Sequence, residues 1–189
     1  MDEATIRCFL AINLPEKLKQ SIAEYQQELK RLAPKVKWVK PQSIHITVKF
    51  LGNQPESVVD KVIANLHSLG DHARRFQLNI AGFGAFPSRN KPRVLWIGGS
   101  GQPHEHLYDM YRWIEEHLQP LGFEKEKKRF SPHLTLGRVK FPQNLDDLWA
   151  FVQENPFPPY SFEVQRVELM RSQLKPDGAR YSVLHRFAF

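Results

Sequence analysis

The chain has 189 residues, and 41% of them are hydrophobic, which suffices for one domain of ordinary size with a buried core. Its net charge of +7 favours anionic partners, most commonly nucleic acids or nucleotides. The single cysteine, Cys8, excludes an intramolecular disulfide and any zinc site built from several cysteines.

The order of hydrophobic and turn-forming residues predicts an α+β protein. Apolar or alternating runs predict strands at residues 7–14, 36–39, 43–48, 76–86, 93–97, 131–136, 161–173 and 180–189. Apolar residues at helical spacing predict helices at 16–32, 58–69, 103–118 and 146–153, with a turn at 98–101. Gly70 is predicted to end the second helix. Neighbouring strands joined by short turns pair antiparallel, so a doubly wound parallel sheet is excluded.

Two hexapeptides share the pattern Ser-x-His-x-Thr-x, namely residues 43–48 (SIHITV) and 131–136 (SPHLTL). The chain contains three threonines in all, and two of them belong to these copies. Residues i and i+2 of a strand project from the same face, so each copy predicts a strand with an apolar back and a His/Thr front. The two histidines lie 88 residues apart, which is close to half the chain and indicates a degenerate internal duplication.

Two lobes related by a pseudo-twofold axis would bring the two His/Thr faces together across a cleft. Two imidazoles can then remove a proton from one atom and deliver a proton to another near neutral pH. Threonine hydroxyls beside them can donate hydrogen bonds to a tetrahedral anion, most simply a phosphate. We therefore expect general acid–base catalysis without a metal or other cofactor at His45, Thr47, His133 and Thr135.

Two other interpretations of the histidines are weaker. A histidine beside a strand threonine is often structural, but two symmetrical copies on a basic chain favour a site. A metal site would need further ligands, and neither His45 nor His133 has a carboxylate or cysteine at regular spacing.

The duplicated tetrads, residues 45–48 (HITV) and 133–136 (HLTL), resemble the defining motifs of the 2H phosphoesterase superfamily. Within it, the chain resembles the RNA 2′,3′-cyclic phosphodiesterases, also called LigT-type 2′-5′ RNA ligases. The flanking residues 7–12 (RCFLAI), 49–52 (KFLG) and 137–138 (GR) support the resemblance, as does the segment 169–184. The similarity covers nearly the whole chain in the expected order.

This resemblance implies a bilobal α+β domain over residues 1–189, with two mostly antiparallel sheets facing a central cleft and helices outside. It implies that a terminal 2′,3′-cyclic phosphate is opened to a 2′-phosphomonoester, with His45 as proton donor and His133 as proton acceptor. The near symmetry leaves the exchange of these two roles open. By the same resemblance Thr47 and Thr135 would hold phosphate oxygens.

The resemblance also makes Arg138 a phosphate or base contact and Phe50 a base-stacking platform. Strict alternation along the strands would turn both side chains away from the cleft, which argues against both roles. Arg138 reaches the cleft only if Gly137 marks a bulge or the strand end. Strict alternation places the Phe50 side chain on the core face of its strand. Phe9, Arg180 and Tyr181 are further candidates.

The expected partner is RNA with a 2′,3′-cyclic phosphate end, or a related nucleotide. Basic residues near the motifs are expected to follow the RNA backbone: Lys35, Lys37, Lys40, Lys49 and residues 125–129. No apolar run approaches the ~18 residues of a membrane span and the first residues are acidic, so we expect a cytoplasmic monomer that binds no membrane. Two alternatives remain, a non-catalytic module that binds nucleotides or RNA ends, and reversible 2′-5′ RNA ligation at the same site.

Overall fold

A computed structural model describes residues 4–99, 105–176 and 178–189 of the chain. The strands are β1 (Thr5–Asn13), β2 (Lys37–Trp38), β3 (His45–Pro55), β4 (Phe76–Phe86), β5 (Val94–Gly99), β6 (His133–Arg138), β7 (Tyr160–Val164), β8 (Arg166–Lys175) and β9 (Gly178–Ala188). The helices are α1 (Glu16–Leu32), α2 (Glu56–Asn65), α3 (Leu69–His72), α4 (Glu105–Leu118) and α5 (Asp146–Glu154). The predicted α+β class is confirmed.

The strands of the described ranges form one sheet in the order β7-β4-β5-β6-β3-β1-β8-β9, and β2 pairs with β6. All the pairings among these strands are antiparallel. Between β3 and β6 the register consists of one pair, Ile46 opposite Leu134, whereas β1 and β3 pair along their whole length. The two predicted sheets are thus two halves of one curled sheet, and we call the Ile46–Leu134 junction the seam.

Each half contains the same succession of elements. Apart from the short elements β2 and α3, the first half has β1, α1, β3 and α2, and the second half has β5, α4, β6 and α5. In each, the motif strand is hydrogen-bonded to the strand that opens the repeat, β3 to β1 and β6 to β5. This arrangement agrees with the internal duplication predicted from the two motifs.

The main core lies between the sheet and the helices. Helix α1 buries Leu18, Ile22 and Leu29 at helical spacing, and the seam residues Ile46 and Leu134 are also completely buried. A smaller apolar cluster packs on the opposite side of the sheet and is built on Phe9, Ala11 and Met170, with Tyr181 and Val183 against it. Phe9 and Tyr181 of this second cluster line the cavity described below.

Two predictions about glycines are wrong. Gly98 and Gly99 belong to β5 rather than to a turn, since they pair with Ala81 and Ile80 of β4. Glycine at 98 also leaves room for the Trp96 ring, which a Cβ there would approach to 2.9 Å. The remainder of that predicted turn, residues 100–101, lies outside the described residues. Gly70 lies within the short helix α3 instead of ending its predecessor.

The predicted strand 161–173 is two strands with different partners. β7 pairs with β4 in one half, and β8 pairs with β1 and β9 in the other. Residue Gln165 separates them, and its carbonyl accepts a hydrogen bond from the backbone N–H of Phe189. Gln165 and Arg166 interrupt the alternation, but hydrophobic alternation reports which face is buried and not which strand lies alongside, so it does not reveal the change of partner.

Candidate active site

The two motif histidines are the first residues of their strands, β3 and β6, on either side of the seam. The antiparallel register through Ile46 and Leu134 sets His45 level with Thr135 and Thr47 level with His133. Residues that are diagonal neighbours across a regular antiparallel pair lie about 7–8 Å apart. The two histidines are therefore diagonal neighbours across the seam, and both line the cavity described next.

A cavity of about 480 Å³ opens over the seam. It is lined by all six site residues expected from the sequence, His45, Thr47, Phe50, His133, Thr135 and Arg138. Its other walls include Arg7, Phe9, Ser172 and Tyr181 from β1, β8 and β9. Residues from both halves of the sheet thus meet in one site.

Both histidines are held by the same backbone contact. Nδ1 of His45 lies 2.9 Å from the carbonyl oxygen of Ser43, and Nδ1 of His133 lies 2.8 Å from that of Ser131. A carbonyl oxygen only accepts hydrogen bonds, so Nδ1 carries the proton in both rings. Nε2 is therefore the nitrogen available for proton transfer on each side.

The surroundings of His45 are aromatic and largely closed to water. Its ring stacks on Phe9 at 4.7 Å between centroids and meets the edge of Tyr181 at 5.2 Å. Burial lowers the pKa of His45 from 6.5 to about 4, although its hydrogen bond to Ser43 acts in the opposite direction. His45 is therefore neutral at pH 7 in the free protein.

His133 is packed differently, against the edge of Phe86 with 5.0 Å between centroids. Phe86 in turn contacts Trp96, whose ring occupies the space left by Gly84 and Gly98. A Cβ at Gly84 would overlap that ring. These glycines on β4 and β5 thus allow an aromatic stack that supports the imidazole of His133.

A β-bulge in β3 brings Phe50 onto the same face as His45. Ala11 pairs with Thr47 and Leu10 with Lys49, so Val48 is an extra residue that shifts the alternation by one. Phe50 consequently lines the cavity and is 63% exposed. Strict alternation favoured a core position for Phe50. This prediction is wrong because the bulge at Val48 shifts the alternation by one residue.

A second bulge, in β6, has the same effect on Arg138. Trp96 pairs with Thr135 and Leu95 with Gly137, so Leu136 is the extra residue and Arg138 faces the cavity. A Cβ at Gly137 would approach a Val36 methyl group to 2.6 Å, so glycine is needed for β2 to pack here.

The β6 bulge is supported from behind by helix α1. The completely buried Gln26 donates hydrogen bonds from Nε2 to the carbonyls of Val39 and Leu136, both at 3.0 Å. The Leu136 carbonyl also accepts the backbone N–H of Val39 at 2.8 Å.

Two arginines, Arg7 and Arg138, bring positive charge to the cavity. Burial raises the pKa of Tyr181, while the guanidinium groups of Arg138 and Arg7 lower it. Both arginines therefore act electrostatically on the corner of the cavity at Tyr181, whose ring also contacts His45. Such a corner is suited to an anion, and a guanidinium matches the geometry of phosphate oxygens.

Comparison of the sequence with known proteins identifies the family of this chain. A family model described as "LigT like Phosphoesterase" matches residues 12–96 and again residues 98–181, one match for each half of the duplication. The chain belongs to this family of LigT-like phosphoesterases, which are 2H phosphoesterases.

Among curated relatives, the RNA 2′,3′-cyclic phosphodiesterase of Methanocaldococcus jannaschii is 34% identical over 95% of this chain and 98% of its own length. The enzyme of that name from Thermotoga maritima is 31% identical over 97% of this chain and 96% of its own. A crystal structure from Thermus thermophilus has a TM-score of 0.79 with 28% identity, and covers 97% of both chains. E. coli LigT complexed with 3′-AMP has a TM-score of 0.76 with 24% identity, covering 97% of this chain and 98% of its own.

One predicted contact of this LigT-like phosphoesterase is wrong. Lys49 was expected to follow an RNA backbone, but it is 4% exposed and its Nζ lies 2.6 Å from Oε1 of Glu115 on α4. The Val48 bulge turns Lys49 toward the helices, where Nζ also donates to the carbonyl of Glu124 at 2.9 Å. The basic residues within 125–129 are exposed.

Arg7 was not singled out from the sequence, although it lines the cavity. Arg7 and Phe9 are two residues apart on β1, so alternation places them on one face of that strand, and the structure shows that this is the face of His45. Phe9 was a candidate contact, and its stacking on His45 shows that it also supports the imidazole.

Within residues 4–99, 105–176 and 178–189, no group of three or more His, Cys, Asp and Glu side chains is placed to hold a metal ion. No helix in those ranges is both long and apolar enough to cross a membrane.

Proposed function

We propose that this protein is an RNA 2′,3′-cyclic phosphodiesterase that opens a terminal cyclic phosphate to a 2′-phosphomonoester. The observation that supports this most strongly is the pair of imidazoles in one cavity, each with Nδ1 on a backbone carbonyl and Nε2 free for chemistry. The curated relatives are named RNA 2′,3′-cyclic phosphodiesterases, which supports hydrolysis of the cyclic phosphodiester.

In the proposed reaction, Nε2 of His133 accepts a proton from water as the water oxygen attacks phosphorus. The bond between phosphorus and the 3′ oxygen breaks, and Nε2–H of His45 protonates that oxygen. Thr47 and Thr135 donate hydrogen bonds to the non-bridging oxygens, and Arg138 offsets the charge that develops on them. Each proton transfer contributes about 10²–10⁴ to the rate.

The proton-donor role of His45 requires that it gain a proton with the substrate. Its pKa of about 4 leaves it neutral in the free protein at pH 7. A phosphodiester carries one negative charge, and an anion within about 4–6 Å favours the imidazolium form. Substrate binding is therefore coupled to proton uptake at His45.

Phe50 is the proposed stacking platform for the terminal base, since its exposed ring stands at the edge of the cavity. The proposed substrate is an RNA end, and the enzyme is proposed to act as a cytoplasmic monomer.

The first test is incubation of a 2′,3′-cyclic-phosphate oligonucleotide with the protein in EDTA, followed by identification of the product. A 2′-phosphate is expected, with no turnover by His45→Ala or His133→Ala and unchanged folding of both variants by circular dichroism. A 3′-phosphate would overturn the assigned roles. Binding of 2′-AMP without hydrolysis would instead identify a binding module, and joining of the cyclic end to a second strand through a 2′-5′ linkage would identify a ligase.

A second test separates the two histidines. In a substrate with sulfur in place of the bridging 3′ oxygen, the thiolate leaves without protonation, so general-acid assistance is no longer needed. His45→Ala is expected to regain most of its lost rate with this substrate, while His133→Ala is not. The opposite pattern would show that the two roles are exchanged.

A further inference from the structure

A groove of about 560 Å³ opens beside the catalytic cavity, on the other side of Phe50. The two spaces share Thr47, Phe50, Val94 and His133, so a ligand can extend from one into the other without leaving the protein surface. Ligand sites commonly have volumes of about 300–1,000 Å³, which makes this groove large enough for a nucleoside. We call it the side groove.

The walls of the side groove combine aromatic rings with cations. Phe130 lines it and stacks on Tyr111 with 4.3 Å between centroids and an interplanar angle of 9°. Arg93, Lys128 and Arg129 line the same groove and are exposed. Aromatic faces for bases next to cations for the backbone are the usual means of binding single-stranded nucleic acid.

The wall that carries Phe130 is anchored to the catalytic strand. The buried Lys49–Glu115 pair joins β3 to α4, and Glu115 also accepts the backbone N–H of Glu126 through Oε2 at 2.9 Å. Tyr111, which supports the Phe130 ring, lies beside the Glu115 carboxylate, and burial together with this carboxylate raises the pKa of its hydroxyl to about 12. A wall held in this way can bind a nucleotide without first being ordered, which favours affinity.

We propose that the side groove binds the nucleotide on the 5′ side of the terminal cyclic phosphate, with its base on Phe130 and the connecting phosphate beside Lys128. This rests on the proposed function and deepens it. The substrate class is then an RNA strand of at least two nucleotides rather than a free cyclic mononucleotide.

The test compares a 2′,3′-cyclic mononucleotide with a dinucleotide that carries the same cyclic end. One added stacking contact predicts a kcat/KM about tenfold or more higher for the dinucleotide with the wild-type protein. In Phe130→Leu, which keeps apolar bulk but loses the ring face, this preference is expected to fall to about twofold or less. Phe130→Tyr is expected to restore it.

Lys128→Gln is the second variant, because it does not alter the packing under Phe130. It is expected to lower kcat/KM for the dinucleotide about threefold or more at low salt and leave the mononucleotide unchanged. Lys61→Gln is the matched control, since Lys61 is exposed on α2 and lines neither the cavity nor the side groove. It should leave both substrates unchanged.

Equal activity of the wild-type protein on the two substrates would overturn the proposal. So would a preference that survives both Phe130→Leu and Lys128→Gln, or an equal loss on both substrates in each variant. If neither substrate is hydrolysed, the proposed function fails separately. The groove is then judged by calorimetry with the nucleoside 2′-phosphate and the matching dinucleotide, where equal affinity contradicts the proposal.

Discussion

The ring of His45 is enclosed by Phe9 and Tyr181, and this enclosure makes the stability of the fold depend on pH. The folded pKa of about 4 lies below the ordinary 6.5, so the unfolded chain binds the proton more tightly. The contribution of neutral His45 is therefore complete above pH 6.5 and is lost as the pH falls from 6.5 to 4. At 1.36 kcal/mol per pKa unit, the loss is about 3 kcal/mol.

We expect His45→Asn to remove this part of the pH dependence. The measurement is the free energy of unfolding in urea at several values between pH 4 and pH 7, for the variant and the wild type. His67→Asn is the control, because His67 is exposed at the end of α2, and it should keep the wild-type slope. Parallel curves for His45→Asn and the wild type would contradict the burial of the neutral ring.

Phe50 gives a prediction about binding rather than stability. Because the side chain is 63% exposed, Phe50→Ala should change the free energy of unfolding by less than about 0.5 kcal/mol. Loss of a base-stacking face should raise KM for a cyclic-phosphate substrate about tenfold with a small effect on kcat. An unchanged KM in Phe50→Ala would contradict a role for Phe50 in substrate binding.

The residues that carry the chemistry were accessible from the sequence, but the positions of Phe50 and Arg138 were not. His45 and Thr47 share a face in any regular strand, and so do His133 and Thr135. The last residue of each motif, Val48 or Leu136, is an extra residue in its strand and reverses the alternation after it. A bulge is defined by its pairing with a neighbouring strand, so a single sequence does not reveal it.

At the scale of elements, the buried ion pair between β3 and α4 is the contact most sensitive to substitution. Lys49→Met leaves the Glu115 carboxylate buried without its cation, which costs about 3–5 kcal/mol. Chemical denaturation should show a lower midpoint at unchanged slope. The double variant Lys49→Met/Glu115→Met should regain part of the loss, and a cost below about 1 kcal/mol in the single variant would contradict this account.

Helices and strands with regular periodicity were predicted well because burial of one face governs their sequence. Helix α1 begins and ends where Pro15 and Pro34 indicate, at Glu16 and Leu32. The boundary between β7 and β8 was missed because two consecutive exposed polar residues, Gln165 and Arg166, interrupt the alternation without showing a change of pairing partner. Lys49 was misassigned because charge alone does not distinguish an exposed lysine from one with a buried carboxylate.

At the scale of the whole molecule, the single-domain interpretation of residues 1–189 stays a prediction. The two halves share the sheet through the seam, and α1 of the first half holds the Leu136 carbonyl of the second through Gln26. We expect them to unfold together, with the calorimetric enthalpy equal to the van't Hoff enthalpy. Two separate transitions would show that the halves are independent domains.

The seam has a consequence for how the distance between the two histidines is set. With one backbone pair between β3 and β6, the spacing of the imidazoles depends on the angle at which the two halves splay, and the packing behind Ile46 and Leu134 determines that angle. A change of volume there, far from any substrate atom, moves the proton donor relative to the proton acceptor. The hydrophobic core thus sets the distance between the two catalytic histidines. Substitutions behind the seam can change turnover without altering a catalytic group.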